Sequence, residues 1–307
     1  MNNLRKLTLD ECAPIVPYLL EGVSFRLTHL DLLIPSQASY PVSQFLSSQP
    51  TIEELLIICQ SNDLSALSPD ALPSLRNLSA PLTLLPTLLA FRLPHIARLS
   101  ILGVMTHSDE LIILSLLLAL FNPPESLMLV VKVRVGANAI TIADISRGLS
   151  ILGEGAPFIT LLALAKYGDQ IGQDELQDMF IYALPHFPNL KQLNLMSRPM
   201  PQGADTRNPQ VEPVRTPSGI LSLLYNALAY LYSMLVNTPI LFYFFSSRHA
   251  QQIGDDQTQN QPNPNLDPFY DRSCHQQIIM AWRQVHPKLE FVVFPGGKYK
   301  VKSRGSS

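Results

Sequence analysis

The segment Pro94-His-Ile-Ala-Arg-Leu-Ser-Ile101 decides the fold, because the chain repeats its pattern of proline, aliphatic residue and leucine. Five other stretches carry the pattern, the last two without the proline: 50–57, 73–80, 188–195, 4–9 and 27–32. The anchoring leucine recurs every 21 to 25 residues, at Leu7, Leu30, Leu55, Leu78 and Leu99. A period within about 20 to 29 residues is typical of leucine-rich repeats, so the sequence predicts an array of like units.

The segments between these phrases predict the second layer of each unit. Residues 108–121 and 173–187 have helical patterns with acidic first turns. Residues 127–135 and 158–165 are rich in strand-forming apolar residues. Because each unit has one apolar face that only a neighbour can bury, we expect the units to stack. The predicted fold is α/β: an irregular leucine-rich-repeat solenoid of about ten strands, with parallel strands on the concave side and helices or loops on the convex side.

A single domain accounts for most of the chain. We expect one solenoid over 1–296, with loop insertions at 197–217 and 251–268, where proline, asparagine and glutamine accumulate. Three lysines and one arginine follow within the last residues. This composition predicts a basic, disordered tail over 297–307.

Composition excludes several classes of partner. Only 15% of the 307 residues are charged, below the roughly 25% of an average soluble domain. The net charge of −2 and the pI near 6.4 create no long-range field for nucleic acid or for an anionic membrane. The three cysteines, Cys12, Cys59 and Cys274, are far apart, and the N-terminus has no signal-peptide pattern. We therefore expect reduced thiols and an intracellular protein, cytoplasmic or nuclear.

One segment leaves two interpretations open. Residues 216–247 contain no charged residue and no histidine, and 220–245 is long enough to cross a bilayer. Polar residues nevertheless recur every three or four positions from Ser222 to Asn237, which predicts one polar helix face. Pro239 then breaks the helix, and a short apolar strand follows. The pattern favours a further helix and strand of the array, and a membrane anchor is the alternative.

The C-terminal unit adds a longer signature. A predicted helix over 267–286 bears Trp282, and a predicted strand over 287–294 follows within the phrase His286-Pro-Lys-Leu-Glu-Phe-Val-Val-Phe-Pro-Gly-Gly297. Together with the repeated leucine and proline phrases, this unit resembles the leucine-rich-repeat region of the F-box-like protein family of basidiomycete fungi. The resemblance covers most of the chain. It implies the target-recognition half of a ubiquitin-ligase substrate receptor.

The resemblance also implies partners. In that family, an N-terminal F-box docks on a Skp-family adaptor of a cullin ubiquitin ligase, and the repeats select the target. The first repeat phrase begins at Leu4, which leaves no room for an F-box before it. We therefore expect an unknown protein partner, with the adaptor and the cullin only if an F-box lies upstream in a longer product. A truncated paralogue without a partner is the alternative.

The candidate site is a surface rather than a catalytic centre. The sequence has no Gly-x-Ser-x-Gly, His-Glu-x-x-His, Cys-x-x-Cys or phosphate-loop motif, so we expect no enzymatic activity, cofactor or metal. Side chains that alternate with the buried leucines should form the concave surface. Those predicted to contact a protein partner are His29, Asp31, Glu54, Leu56, Ile58, Asn77, Arg98, Gln192 and Asn194. Mixed charge around an apolar spot suits a protein interface, and a merely solvated sheet face is the alternative.

Overall fold

Short parallel strands separated by helices and turns make up the part of the chain that the structure describes. The computed structural model describes residues 4–10, 25–34, 42–136, 139–198 and 267–301. These residues form an α/β structure around one sheet of ten strands. The predicted α/β class and the predicted parallel strands are confirmed.

The strands lie across the sheet in the order of the sequence. Their bounds are β1 Lys6–Asp10, β2 His29–Leu33, β3 Glu54–Ile58, β4 Asn77–Pro81, β5 Arg98–Leu102, β6 Leu127–Val135, β7 Ile159–Gly168, β8 Gln192–Arg198, β9 Phe291–Phe294 and β10 Gly297–Lys300. Strands β1 to β9 are parallel, and β10 is antiparallel to β9. Each strand therefore pairs with the next one along the chain.

The helical connections lengthen along the chain. Those between β2 and β5 have three to six residues: α1 Val42–Ser47, α2 Leu85–Leu89 and 3₁₀ turns at Ser61–Leu64, Leu82–Leu84 and Leu93–His95. Those after β5 include helices of 11 to 14 residues: α3 Ser108–Leu120, α4 Ile142–Gly155, α5 Gln173–Ala183 and α6 Arg272–Val285. A 3₁₀ turn, Leu184–His186, follows α5. The later units therefore have more apolar helix surface to bury against the sheet.

The residue before a strand makes the same backbone contact in several units. The carbonyl oxygen of Arg5 accepts from the N–H groups of Thr28 and His29. The carbonyl oxygen of Thr28 in turn accepts from Glu53 and Glu54. The same contact with two donors recurs between β3 and β4, between β4 and β5, and between β8 and β9. Adjacent units are thus related by one repeated geometry.

Within the described ranges, one face of the sheet is covered and the other is open. Because crossovers between sequential parallel strands are right-handed, the described connections belong on one side of the sheet. Side chains on this covered face are buried, and one row of them crosses eight strands: Leu30, Leu55, Leu78, Leu99, Leu129, Leu162, Leu193 and Val292. The alternate side chains lie on the opposite side, which we call the open face. They are mostly half-buried or exposed.

Several predicted elements differ from the observed ones at their ends. The strand predicted over 127–135 is confirmed as β6. The helix predicted over 173–187 ends at Ala183, because Pro185 cannot continue it. The helix predicted over 267–286 begins only at Arg272, after Asp271 as the N-cap. Its carboxylate accepts from the backbone N–H of Ser273 at 2.9 Å, which fixes the start of the helix.

The predicted disordered tail over 297–307 is wrong for residues 297–300, which form β10. Residues 295 and 296 form the turn of a hairpin rather than the end of the fold. The hydroxyl of Tyr299 donates to Nδ1 of the buried His275 on α6 at 2.8 Å. This hydrogen bond and the edge-on contact between the two rings hold a segment whose basic composition alone predicts disorder.

Other predicted segments lie outside the described residues. These are the segment 216–247 with its two interpretations, Cys12, and most of the loop insertions at 197–217 and 251–268. Strand β8 includes residues 197 and 198, so the first insertion begins later than predicted. None of the helices that the structure describes is long and apolar enough to cross a membrane.

Two buried histidines predict an acid-sensitive fold. Burial lowers the pKa of both His275 and His286 below the ordinary value of 6.5. Nε2 of His275 donates to the carbonyl oxygen of Pro268 at 2.9 Å, and Nε2 of His286 donates to that of Leu190 at 2.7 Å. The unfolded chain therefore binds more protons than the native protein as the pH falls below about 6.5, and the free energy of unfolding should fall with it.

Urea unfolding at a series of pH values measures this effect. We expect the stability to be highest above about pH 6.5 and the slope below it to become shallower in His286→Gln. The exposed His95 offers a matched control, since His95→Gln changes the same residue type at the surface. A slope that is the same in His286→Gln and in the unchanged protein contradicts the explanation.

Candidate functional site

The strand register aligns the open-face side chains in rows across the sheet. The first row crosses nine strands: Lys6, His29, Glu54, Asn77, Arg98, Met128, Leu161, Gln192 and Phe291. The second row lies beside it: Thr8, Asp31, Leu56, Ser79, Ser100, Val130, Ala163, Asn194 and Val293. A third, interrupted row has Leu33 and Ile58 at one end and Lys132, Ala165 and Met196 at the other. All nine residues predicted to contact a partner lie on this face.

The structure divides those nine residues into two groups. Seven lie on β2 to β5, and Gln192 and Asn194 lie on β8. Strands β6 and β7 separate the groups. Because neighbouring strands are about 4.8 Å apart, β5 and β8 lie about 14 Å from each other. The predicted residues are therefore the two ends of a wider surface.

Apart from Leu33, Leu56 and Ile58, the open face of β1 to β4 is mostly polar, and several of its polar groups contact one another. Nζ of Lys6 lies 3.9 Å from the carboxylate of Asp31. Nε2 of His29 lies 3.4 Å from Oε2 of Glu54, whose Oε1 accepts from the amide of Asn77 at 2.9 Å. These groups are one-third or more exposed, so each pair contributes at most about 1 kcal/mol to stability. Lys6 offsets the charge of Asp31, and the carboxylate of Glu54 is held by the amide of Asn77 and lies beside His29.

The open face of β5 to β7 is apolar and basic, and the sequence prediction missed most of it. Met128, Val130 and Leu161 follow the polar strands in the first two rows. Lys132 and Arg134 lie on the same face of β6. The alternation of basic and apolar residues in 127–135 was the available signal, but it cannot show which strand comes to lie beside Arg98.

Strands β8 and β9 separate to form a cleft at the edge of this face. They pair only through Gln192–Asn194 and Phe291–Val293. The N–H of Phe291 donates to the carbonyl oxygen of Lys191, so the alternating ladder next requires donors at residues 293 and 295. Residue 295 is proline, which has no N–H, and the pairing ends. A cleft of about 350 Å³ opens there, lined by Asn194, Leu195, Met196, Ser197, Tyr270, Val293, Phe294 and Pro295.

The walls of the cleft suit a single apolar anchor. The hydroxyl of Tyr270 donates to the carbonyl oxygen of Ser197 at 2.5 Å, while its residue stays 46% exposed. Met196 is 47% exposed. Nε2 of Gln192 donates to Oδ1 of Asn194 at 2.8 Å and holds that amide at the open face. The volume is at the small end of the roughly 300 to 1,000 Å³ of ligand pockets, enough for one side chain.

A buried ionic cluster supports the same edge from the covered side. Lys166 on β7 is 2% exposed, and its Nζ donates to the carbonyl oxygen of Asp169 at 2.7 Å. That Nζ also lies 3.6 Å from Oδ2 of Asp267 and 5.6 Å from the ring centre of Phe269. Burial lowers the pKa of Lys166, although the charge of Asp267 opposes this shift. Ser197 Oγ donates to Oδ2 of Asp267 at 2.7 Å, which ties the cluster to the cleft.

The described thiols stay protonated at neutral pH. Burial raises the pKa of Cys59 to about 12, and the carboxylate of Asp63 adds to the shift. Burial also raises the pKa of Cys274. A protonated thiol is a weak nucleophile and a weak metal ligand. Within the described ranges, no group of three or more His, Cys, Asp and Glu side chains could hold a metal ion.

No family model, curated protein or solved structure matches this chain. The resemblance to the F-box-like family therefore stays a prediction. The open face and its cleft are therefore the candidate site.

Proposed function

We propose that this chain is a protein-interaction solenoid of irregular leucine-rich repeats and that its open face binds the partner. Three observations support the solenoid: the sequential strand order, the spacing of 21 to 25 residues between anchoring leucines, and the repeated backbone contact between units. In this proposal, the open face is the concave side and the connections form the convex side.

The main support for the proposal is the area that the aligned rows of the open face provide. Nine strands at about 4.8 Å span about 38 Å, and three rows are about 14 Å wide. The face therefore offers at most on the order of 500 Å², about 60% of the roughly 800 Å² that each partner buries in a standard interface. The crossovers that the structure describes belong on the other side of the sheet.

Its composition also favours a protein partner. Ile58 is 39% exposed and Met196 is 47% exposed, and both lie in the third row. Half-buried Leu56, Met128 and Leu161 extend the apolar surface across the sheet. Charged side chains on β1 to β3 lie beside Leu56 and Ile58 and border the rest of the apolar surface on one side. An apolar centre with a polar rim is the usual arrangement of a protein interface.

The family resemblance extends the proposal to the identity of the complex. The bound protein would be a target for ubiquitin transfer. A Skp-family adaptor and a cullin would join only through an F-box upstream in a longer product. The open face performs the recognition step in either case.

Affinity purification of the tagged full chain from its own cells, followed by mass spectrometry, tests the proposal. Met196→Glu places a charge in the apolar row beside the cleft. Met280→Glu is the matched control, since Met280 is 61% exposed on α6. We expect Met196→Glu to reduce recovery of the partner at least tenfold, which corresponds to about 1.4 kcal/mol, because a charge must be desolvated in the interface.

Comparison of Met196→Glu with the control Met280→Glu separates a loss of binding from a loss of folding. Circular dichroism should show both variants folded, because both changed side chains are exposed. Recovery of the partner with Met280→Glu but not with Met196→Glu supports the open face as the binding surface. Equal recovery with both variants, or recovery of chaperones alone, contradicts it.

A further inference from the structure

We propose that the partner presents an acidic polypeptide segment with an apolar anchor and that this segment binds across β5 to β8 of the open face. The inference rests on the proposed function and specifies the chemistry of the partner. It follows from the distribution of charge, the apolar rows and the position of the cleft.

Charge on the open face is segregated by strand. The described acidic side chains of this face, Asp31 and Glu54, lie on β2 and β3, where they contact Lys6 and His29. Three basic side chains that the structure describes lie on β5 and β6: Arg98, Lys132 and Arg134. In the described part of the chain, no acidic group lies within 4.0 Å of these three. Unpaired basic groups on a binding face favour an acidic partner.

Lys132 and Arg134 are well placed for such a contact. Both are half-buried on β6, which is typical of side chains whose aliphatic stems pack on the sheet and whose charged ends extend toward solvent. This position limits the rotamer freedom that each side chain loses on binding. A carboxylate that approaches β6 therefore meets two nearby cations in a partly apolar setting, where charge pairs are stronger than in water.

The third row indicates where the apolar anchor of the partner binds. Lys132, Ala165 and Met196 are register neighbours on β6, β7 and β8, so Met196 lies about 10 Å from Lys132. Ala165 is small and leaves a shallow path between them. The cleft beside Met196 can take one apolar side chain of the same segment. A helix of about ten residues spans about 15 Å, which covers β5 to β8.

The surface favours a polypeptide over a nucleic acid. A phosphate backbone is recognised by many basic groups in series. Here only three basic groups border rows formed by Met128, Val130 and Leu161. A phosphate backbone would offer these apolar side chains no apolar contact. An acidic segment with aliphatic or aromatic residues matches both the charge and the apolar rows.

Selection of displayed random peptides of about 12 residues on the immobilised full chain tests this inference. We expect the enriched peptides to be acidic and to contain an aromatic or aliphatic residue. In solution, Lys132→Glu combined with Arg134→Glu should weaken the binding of an enriched peptide at least tenfold. Arg147→Glu combined with Arg283→Glu, on α4 and α6, is the matched control for the charge change and should weaken it less than twofold.

Each other outcome overturns the inference. Enriched peptides that are neutral or basic, an absence of enrichment, or an equal loss in both double variants all contradict an acidic partner. So does a mixed-sequence RNA oligonucleotide that binds and is released by the changes at Lys132 and Arg134. The proposed function survives separately if Met196→Glu abolishes binding of the cellular partner while the double variant at Lys132 and Arg134 leaves it intact.

Discussion

Replacing Lys166 with alanine is expected to lower the free energy of unfolding by about 3 to 5 kcal/mol. The side chain is 2% exposed, and its charged end is held by the carbonyl oxygen of Asp169 and the carboxylate of Asp267. Alanine removes the cation but leaves the Asp267 carboxylate, of which only 15% is exposed, without its counter-charge. An uncompensated buried charge costs more than the original pair contributes.

A double variant separates charge from packing. Lys166→Met together with Asp267→Asn removes both charges and keeps most of the volume. We expect it to be more stable than Lys166→Ala, because no buried charge is left unpaired. Urea unfolding followed by circular dichroism measures both variants. If the double variant is the less stable of the two, the ion pair is not the source of the effect.

The same cluster should affect recognition as well as stability. Ser197 contacts the cluster through its hydroxyl, and its carbonyl oxygen accepts from Tyr270 at the wall of the cleft. These two hydrogen bonds hold Asp267 and Tyr270 against the end of β8. The cleft owes its shape to this buried contact as well as to Pro295.

Replacing Trp282 with alanine is expected to cost about 3 to 5 kcal/mol. Trp282 on α6 is fully buried, and its indole lies 4.9 Å from the ring of Phe180 on α5 and 6.1 Å from that of Phe294 on β9. Its Nε1 donates to the carbonyl oxygen of Gln177 at 3.0 Å. One side chain thus joins α5, α6 and β9, and its removal leaves a large cavity among them.

Two further variants test this role of Trp282. Trp282→Phe retains an aromatic ring but loses the hydrogen bond, so we expect a loss of about 1 to 3 kcal/mol. Met280→Ala on the same helix changes an exposed side chain and should shift stability by less than about 0.5 kcal/mol. Thermal unfolding ranks the three. A Trp282→Ala variant as stable as Met280→Ala would falsify the assignment of Trp282 to the core.

Local pattern was enough to place most strands. The alternation of buried leucines with polar residues in the phrases around Leu55, Leu78 and Leu99 indicates both the strands and their covered side. Strand β6 was predicted residue for residue for the same reason. These features depend on neighbours within a few residues, which a sequence pattern reports directly.

The local sequence pattern did not predict contacts between distant segments. Lys166 follows the strand predicted over 158–165, and its charge alone favours the surface, yet it is buried within β7 and paired with Asp267 from another unit. Tyr299 belongs to a segment that composition predicts to be disordered, and His275 orders it. Such contacts require two segments to meet, and the local sequence of either one does not show the other.

The sequence by itself determined the repeated unit, the parallel strands and the side of each strand that faces the core, because alternation and spacing act within a unit. Only the tertiary structure decided how the units combine at the candidate site. The register placed Arg98 beside Met128 and aligned Lys132 with Met196, and the missing donor of Pro295 opened the cleft. These are relations between strands, and they arise when hydrogen bonding and packing bring separate parts of the chain together.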